Sequence, residues 1–375
     1  MKRTEFLIFL FVFLLVFSLF LNYSFSINKG PKGAVSDVFV GVDVAYGDIA
    51  AVKSRIDEVS SYTNLVVIGS TIITYDPAKC SEVCQYAYDR DLYFMIYSSD
   101  RLQQKWVEEA KSRWGDRFLG IYVWDEAGGK QLDHTKDMLV NNASDPAEAE
   151  RAFVAILNWG INWTTNYSSV VLPSFTSDYA LYWFDYKAGY NAVFAEFGWN
   201  YSRELNIGLV RGAAFAQNKD WGVTITWTYT TPPYIESGEL LYYDLKLAYD
   251  NGAKYIMVFD GNEDWTQGIL KAEHLQAIQQ FWQYIQKTPR TPNSPRDRAA
   301  YVLPDNYAYG FRGPKDKIWG LWEANDFPMQ LCTSLNDVMK QYGSKLDIIY
   351  DDPATPNCTS AYSRVVFWNG TVRGE

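Results

Sequence analysis

Between residues 38 and 261 the chain repeats one pattern eight times: an apolar run of strand length, then an amphipathic run of helix length. The strand-like runs are VFVGVDV (38–44), LVVIGST (65–71), LYFMIYS (92–98), FLGIYVW (118–124), SVVLPSF (169–175), AVFAEFGW (192–199), GVTITWTY (222–229) and YIMVFDG (255–261). Helical stretches at 48–60, 102–114, 145–159, 202–217, 237–251 and 271–286 separate them, with weaker ones after Tyr75 and Ser177. Eight β/α units within about 250 residues predict a (β/α)8 TIM barrel. A doubly wound open sheet is the competing architecture, but GVDVAYGD after the first strand lacks the G-x-G-x-x-G spacing of that fold's phosphate turn.

The flanks are different in character. At the N-terminus, Lys2 and Arg3 precede an apolar run from Phe6 to Leu21, which reads as an export signal retained as a membrane anchor over 1–30. Cleavage near Ser24-Phe25-Ser26 would instead release the protein. The barrel is assigned to 31–290. KTPRTPNSPRD (287–297) carries three prolines and marks a linker, so 291–375 is expected to hold that linker and a small C-terminal α/β domain. Within it, the aromatic loop from Tyr307 to Trp322 is expected to fold over the barrel and narrow its cleft.

Composition narrows the partner. A formal net charge of -10 argues against nucleic acid, whose binding needs basic surface. Aromatic residues make up 17%, including 14 Trp, which suits stacking on the flat apolar faces of sugars. Glycosylation sequons begin at Asn22, Asn142, Asn162, Asn166, Asn200, Asn357 and Asn369, consistent with a glycoprotein at the cell surface or secreted. The four cysteines are expected to form two local disulfides, Cys80 with Cys84 and Cys332 with Cys358. A metal is not expected on these thiols, because the pairs lie far apart and the chain has only His134 and His274.

In such a barrel the chemistry lies where strands end at the C-terminal face. The two-residue period along the fourth strand places Ile121, Val123 and Asp125 on one face and Tyr122, Trp124 and Glu126 on the other, aiming Glu126 into the mouth. The first strand similarly turns Phe39, Gly41 and Asp43 inward. Glu196 interrupts the apolar sixth strand, and Asp260 ends the eighth. Tyr97, Trp227 and Tyr229 are the expected aromatic neighbours, with Asp43, Asp125 and Asp260 as substrate-binding acids. Two carboxyl groups with opposed protonation states can cleave a glycosidic bond without a cofactor, and the scarcity of His argues against Ser-His-Asp or His-zinc hydrolysis.

The acidic pair closing the fourth strand, in an exported and aromatic-rich barrel, resembles the TIM-barrel glycoside hydrolases over roughly residues 35–287. The resemblance implies a general acid/base role for Glu126 and a poly- or oligosaccharide substrate. The large retaining clan of that superfamily has Asn before this Glu, where Asp125 stands here. It also has a nucleophilic Glu ending strand seven, where TITWTY has none. The second carboxylate is therefore expected to be Glu196, then Asp260. The alternative is a barrel that binds glycans or cell-envelope partners without cleaving them, with the carboxylates locked to Arg or Lys.

Overall fold

The structure, a computed structural model, describes residues 38–290, 294–313 and 316–374, and Phe39–Glu375 forms one compact unit. Strands β1 (Phe39–Val44), β2 (Leu65–Ile68), β3 (Tyr93–Tyr97), β4 (Phe118–Tyr122), β5 (Ser174–Asp178), β6 (Ala192–Phe197), β7 (Asp220–Ile225) and β8 (Tyr255–Asp260) close into a barrel in chain order. Every neighbouring pair is parallel, including β8 with β1. The eight-strand barrel is the one expected from the repeat. The anchor reading and Asn22 lie outside the described residues, and no described helix is long and apolar enough to cross a membrane.

The connecting helices are α1 (Ile49–Val59), α2 (Thr71–Thr74), α3 (Pro77–Tyr88), α4 (Gln104–Trp114), α5 (Ala127–Leu132), α6 (Pro146–Thr165), α7 (Tyr182–Ala188), α8 (Arg203–Ala216), α9 (Gly238–Asp250) and α10 (Ala272–Lys287). Their starts are written in the sequence. Asp48, Asp145, Ser202 and Ser237 each accept a first-turn backbone N–H with their side chains, as N-cap residues do. The fifth strand departs from expectation. Val170 and Val171 lie before Pro173 in an irregular connection, and pairing with β6 starts at Phe175. A proline at a strand's entrance needs no ladder hydrogen bond, so it marks where β5 begins.

Inside the barrel, the lower layers are apolar and largely aromatic. Phe39 stacks on Tyr255 at 5.0 Å, and Phe175 and Tyr122 both stack on Phe194. Met95, Val67 and Met257 fill the gaps between them. This packing gives the upper ends of the strands a rigid floor.

After the linker, β9 (Ala299–Leu303), helix α11 (Asp326–Tyr342), β10 (Leu346–Tyr350), β11 (Arg364–Phe367) and β12 (Val372–Arg373) form a four-stranded sheet in the order β10-β9-β11-β12. The sheet docks on α8. A Cβ at Gly208 or Gly212 of that helix would come within 2.8 Å of Leu346 O or 2.4 Å of Ile348 O, so only bare glycine lets the strand backbone approach this closely. Within the contact, Asp347 is buried between Arg211 (2.7 Å) and Arg298 (2.9 Å), and the Tyr362 hydroxyl donates to it at 2.8 Å. Lys187 bridges Glu150 and Asp352 beside it.

The aromatic loop does not narrow the cleft. Trp319 is fully buried against Phe153 and Phe184, its carbonyl accepts from Gln131 at 2.9 Å, and Arg312 pairs with Asp133 at 2.5 Å. The loop seals the outer side of α5, α6 and α7, and none of its described residues lines the cleft. The cysteines also depart from expectation. Cys80 and Cys84 share a face of α3, but their sulfurs stand 3.9 Å apart, against about 2.05 Å for a bond. Cys332 lies in α11 against the Tyr309 hydroxyl, Cys358 is separate from it, and all four are free thiols. Spacing along the chain brings the first pair onto one helical face without the geometry of a disulfide.

Candidate active site

A cleft of about 470 Å³ opens at the C-terminal face of the barrel, and every strand contributes a lining residue at its end or just beyond it. Asp43, Tyr97, Asp125, Glu126, Glu196 and Trp227 all line it, so six of the eight expected site residues converge. Two do not. The Asp260 carboxylate is wholly buried below the mouth, paired with Arg55 at 2.8 Å and accepting from the Ile269 and Leu270 N–H groups at 2.6 and 3.0 Å. It ties the loop after β8 to α1. Tyr229 is 48% exposed and does not line the cleft. The turn takes the chain outward after Trp227, and Tyr234 returns to pack at a tilt against the Trp227 ring, 5.2 Å between centroids.

The β4 end explains why two adjacent acids can both reach the cleft. Strict alternation stops at Val123, because Trp124 and Glu126 take left-handed backbone conformations (φ 55° and 58°). Trp124 is thrown outward, where its ring packs against Gly160 of α6, and Asp125 is brought in beside Glu126. Inward orientation of Trp124 and outward orientation of Asp125, expected from the two-residue period, are thus reversed. Left-handed φ at non-glycine residues costs free energy and is kept only where neighbours hold it. Here Tyr190 and Thr176 donate to the Val123 and Trp124 carbonyls, and Glu126 N–H donates to Ser177 O at 2.8 Å. The two glycines after Glu126 serve packing, since a Cβ at Gly129 would lie 2.0 Å from the Tyr179 ring.

Asp178, at the end of β5, clamps this turn. Its carboxylate accepts from Gly128 N–H at 2.6 Å, Gly129 N–H at 2.8 Å and Ala180 N–H at 3.0 Å. Burial nevertheless pushes its pKa up to about 7, against the pull of those donors. Sequence reasoning missed both Asp178 and Ser177 because it placed the fifth strand at 169–175, ending before either residue, where the strand runs from Ser174 to Asp178. The signal was there in PSFTSD, a proline followed by an alternating strand that ends in an acid.

Glu196 sits on β6, 5% exposed, with no Lys or Arg on it. Its Oε1 accepts from Ser177 Oγ at 2.6 Å, and Ser177 in turn accepts from Tyr122 OH at 2.7 Å. Arg203 and Arg211, the available cations nearby in sequence, are held by Asp244 and Asp347. Burial first, then the Glu126 charge, raises the Glu196 pKa well above the ordinary range. Glu126 is the contrasting member. Burial and the Asp125 charge raise it too, but the Lys130 ammonium, 3.2 Å away, pulls it back. The Asp43 carboxyl is raised well above its ordinary value by burial, then by the charges of Asp125 and Asp260.

These raised carboxyls set the direction of the stability profile. Native Asp178, Glu196 and Asp43 hold protons that the unfolded chain has already lost above about pH 4. The native state therefore binds more protons, and stability falls as pH rises from about 4 through about 7, where Asp178 titrates. Calorimetry of the unliganded protein is expected to give a Tm a few °C higher at pH 5.5 than at pH 8. A Tm that climbs across that interval would contradict the buried, protonated state of these groups.

Comparison with known proteins adds the fold relationship. No protein-family model and no curated protein matches the chain. Among solved structures, a glycoside hydrolase family 5 (subfamily 18) variant from Bifidobacterium longum, in complex with Manβ1-4GlcNAc, superposes with a TM-score of 0.51 at 9% identity, covering 90% of this chain and 97% of that one. A family 26 endo-β-1,4-mannanase from Cellulomonas fimi covers 71% of this chain and 79% of its own, with a TM-score of 0.48 and 9% identity. The first likeness establishes a barrel fold shared with glycoside hydrolases. Unlike the retaining pattern noted above, β7 presents no carboxylate to the cleft; Thr224, Thr226 and Trp227 stand there.

Proposed function

We propose that the protein is a glycoside hydrolase or transglycosidase in which Glu126 and Glu196 form the working pair. The observation that carries this reading is the asymmetry of two carboxyls in one cleft: Glu126 has an ammonium partner and Glu196 has only a hydroxyl. Environments that separate the protonation of paired carboxyls assign acid and base. Glu196 then holds the proton for the leaving oxygen, and Glu126 is the carboxylate that attacks the sugar or activates water. This exchanges the acid/base role that resemblance alone gave to Glu126. Ser177, buttressed by Tyr122, fixes the Glu196 rotamer, while Trp199, Trp227 and Trp265 offer ring faces for the sugar.

The Glu126–Lys130 pair is the feature that favours the other reading, a barrel that binds glycans without cleaving them, since an ion-paired carboxylate can be purely structural. Reducing-end release from a panel of oligosaccharides separates the two. The hydrolase reading expects turnover of at least one glycan by the wild type and its loss in Glu126→Gln; binding without turnover selects the second reading. An exterior address is proposed as well, supported by the exposure of Asn142, Asn162, Asn166, Asn200, Asn357 and Asn369.

Asp178 acts here as a positioning residue. In Asp178→Asn one of the Gly128 and Gly129 N–H groups faces an amide that cannot accept from it. Displacement of Glu126 by even 1 Å is expected to lower kcat about 10²-fold with little change in KM. Unchanged kcat at full occupancy would remove the clamp from the account.

A further inference from the structure

Resting on the hydrolase reading, we propose that the cleft contains a subsite for a protonated amino sugar, an unsubstituted hexosamine whose ammonium group lies against Asp43 and Asp125. Asp43 is 3% exposed and lines the cleft, yet its Oδ1 has no hydrogen-bond partner, and Thr224 Oγ1, 4% exposed two strands away on β7, has none either. A buried carboxyl oxygen without a donor is costly unless something that enters the site supplies one. The charge of that donor follows from its surroundings. Asp43, Asp125, Glu126 and Glu196 face one cavity, and among the described lining residues the single cation, Lys130, is taken by Glu126.

Asp125 exerts a larger charge effect on Asp43 than Asp260 does, and its own contacts are a long bond from the Tyr97 hydroxyl, 3.4 Å from Oδ1, and the Lys130 ammonium, which donates to its backbone carbonyl at 3.1 Å. An ammonium group offers three N–H donors and one positive charge, which supplies Asp43 Oδ1 with a donor and favours release of the Asp43 proton beside Asp125. A neutral hydroxyl supplies the donor without the charge, and a uronic or sulfated sugar adds to the repulsion. The Trp227 and Trp265 rings at the rim can cover the apolar face of the same sugar.

Tryptophan fluorescence titrations of the full chain at pH 7 test the subsite without relying on turnover. Glucosamine, galactosamine and mannosamine are compared with their N-acetyl forms and with glucose, galactose and mannose. At least one hexosamine is expected to bind roughly tenfold or more tightly than its parent hexose and its N-acetyl form, a preference that Asp43→Asn or Asp125→Asn reduces to about twofold or less. Equal binding, absence of hexosamine binding, or a preference that survives both substitutions would overturn the inference. Cleavage of a neutral glycan that Glu126→Gln abolishes would then leave the hydrolase reading standing. A preference of the expected size without cleavage of any glycan would support the subsite and remove the hydrolase reading.

Discussion

Glu196→Gln is expected to lower kcat by about 10²–10⁴-fold on a glycoside with a poor leaving group, the range that a positioned general acid contributes. KM should change little, because the lost interaction is made mainly as the bond breaks. The loss should shrink sharply on an aryl glycoside whose phenolate leaves without protonation. Glu126→Gln should be equally damaging on both substrates, since the attacking or water-activating carboxylate is needed whatever departs. The contrast comes from the surroundings of the two groups. Glu196 is buried with one hydroxyl donor and no cation, while Glu126 lies beside Lys130. Glutamine keeps the size and one acceptor of Glu196, so Ser177 retains a partner and the fold should persist. If instead Glu126→Gln is the variant rescued by the better leaving group, the two roles are reversed.

The second large effect concerns stability. Asp347→Ala should destabilise the protein by about 3–5 kcal/mol, the range for removing one partner of a buried ion pair. Arg211 and Arg298 would remain 3% and 5% exposed with the carboxylate between them gone. Arg211 keeps its bonds to Asn251 Oδ1 and Ser344 O, which favours the lower end of the range. For a unit of this size the fall in Tm is of the order of 5 °C. The sheet is also coupled to the chemistry. It packs on α8, whose Asn206 side chain donates to the Glu196 carbonyl at 3.1 Å. Detachment of the sheet in one early transition, with the barrel melting later, would show that the two parts are not one cooperative unit.

How much of this was legible depended on what each residue was selected for. Seven strands were found because runs such as YIMVF and LVVI have no other use than a buried parallel strand, and Asp48, Asp145, Ser202 and Ser237 announced the helices. The fifth strand failed where function intruded. Ser177 and Asp178 spend strand positions on contacts to Glu196 and to the β4 turn, so the more apolar Val170-Val171-Leu172 drew the assignment instead. Glu126 could be aimed from alternation, but the left-handed residues at 124 and 126 that bring Asp125 in are invisible to a two-residue period. Asp260 looked equivalent to Asp43. Only the fold reveals Arg55 beside one and no partner on Oδ1 of the other. The cysteines show the same limit, since proximity along a helix does not supply bonding geometry.

Carbon-13 NMR titration of the glutamate side-chain carboxyls in the unliganded protein, with Glu126→Gln and Glu196→Gln used for assignment, reads the proposed division of labour without any substrate. The account predicts that Glu196 keeps its proton far above the ordinary glutamate midpoint of about 4.3, and that Glu126 ionises before it as pH rises. Titration of Glu196 in the ordinary range, or loss of its proton ahead of Glu126, would contradict the account.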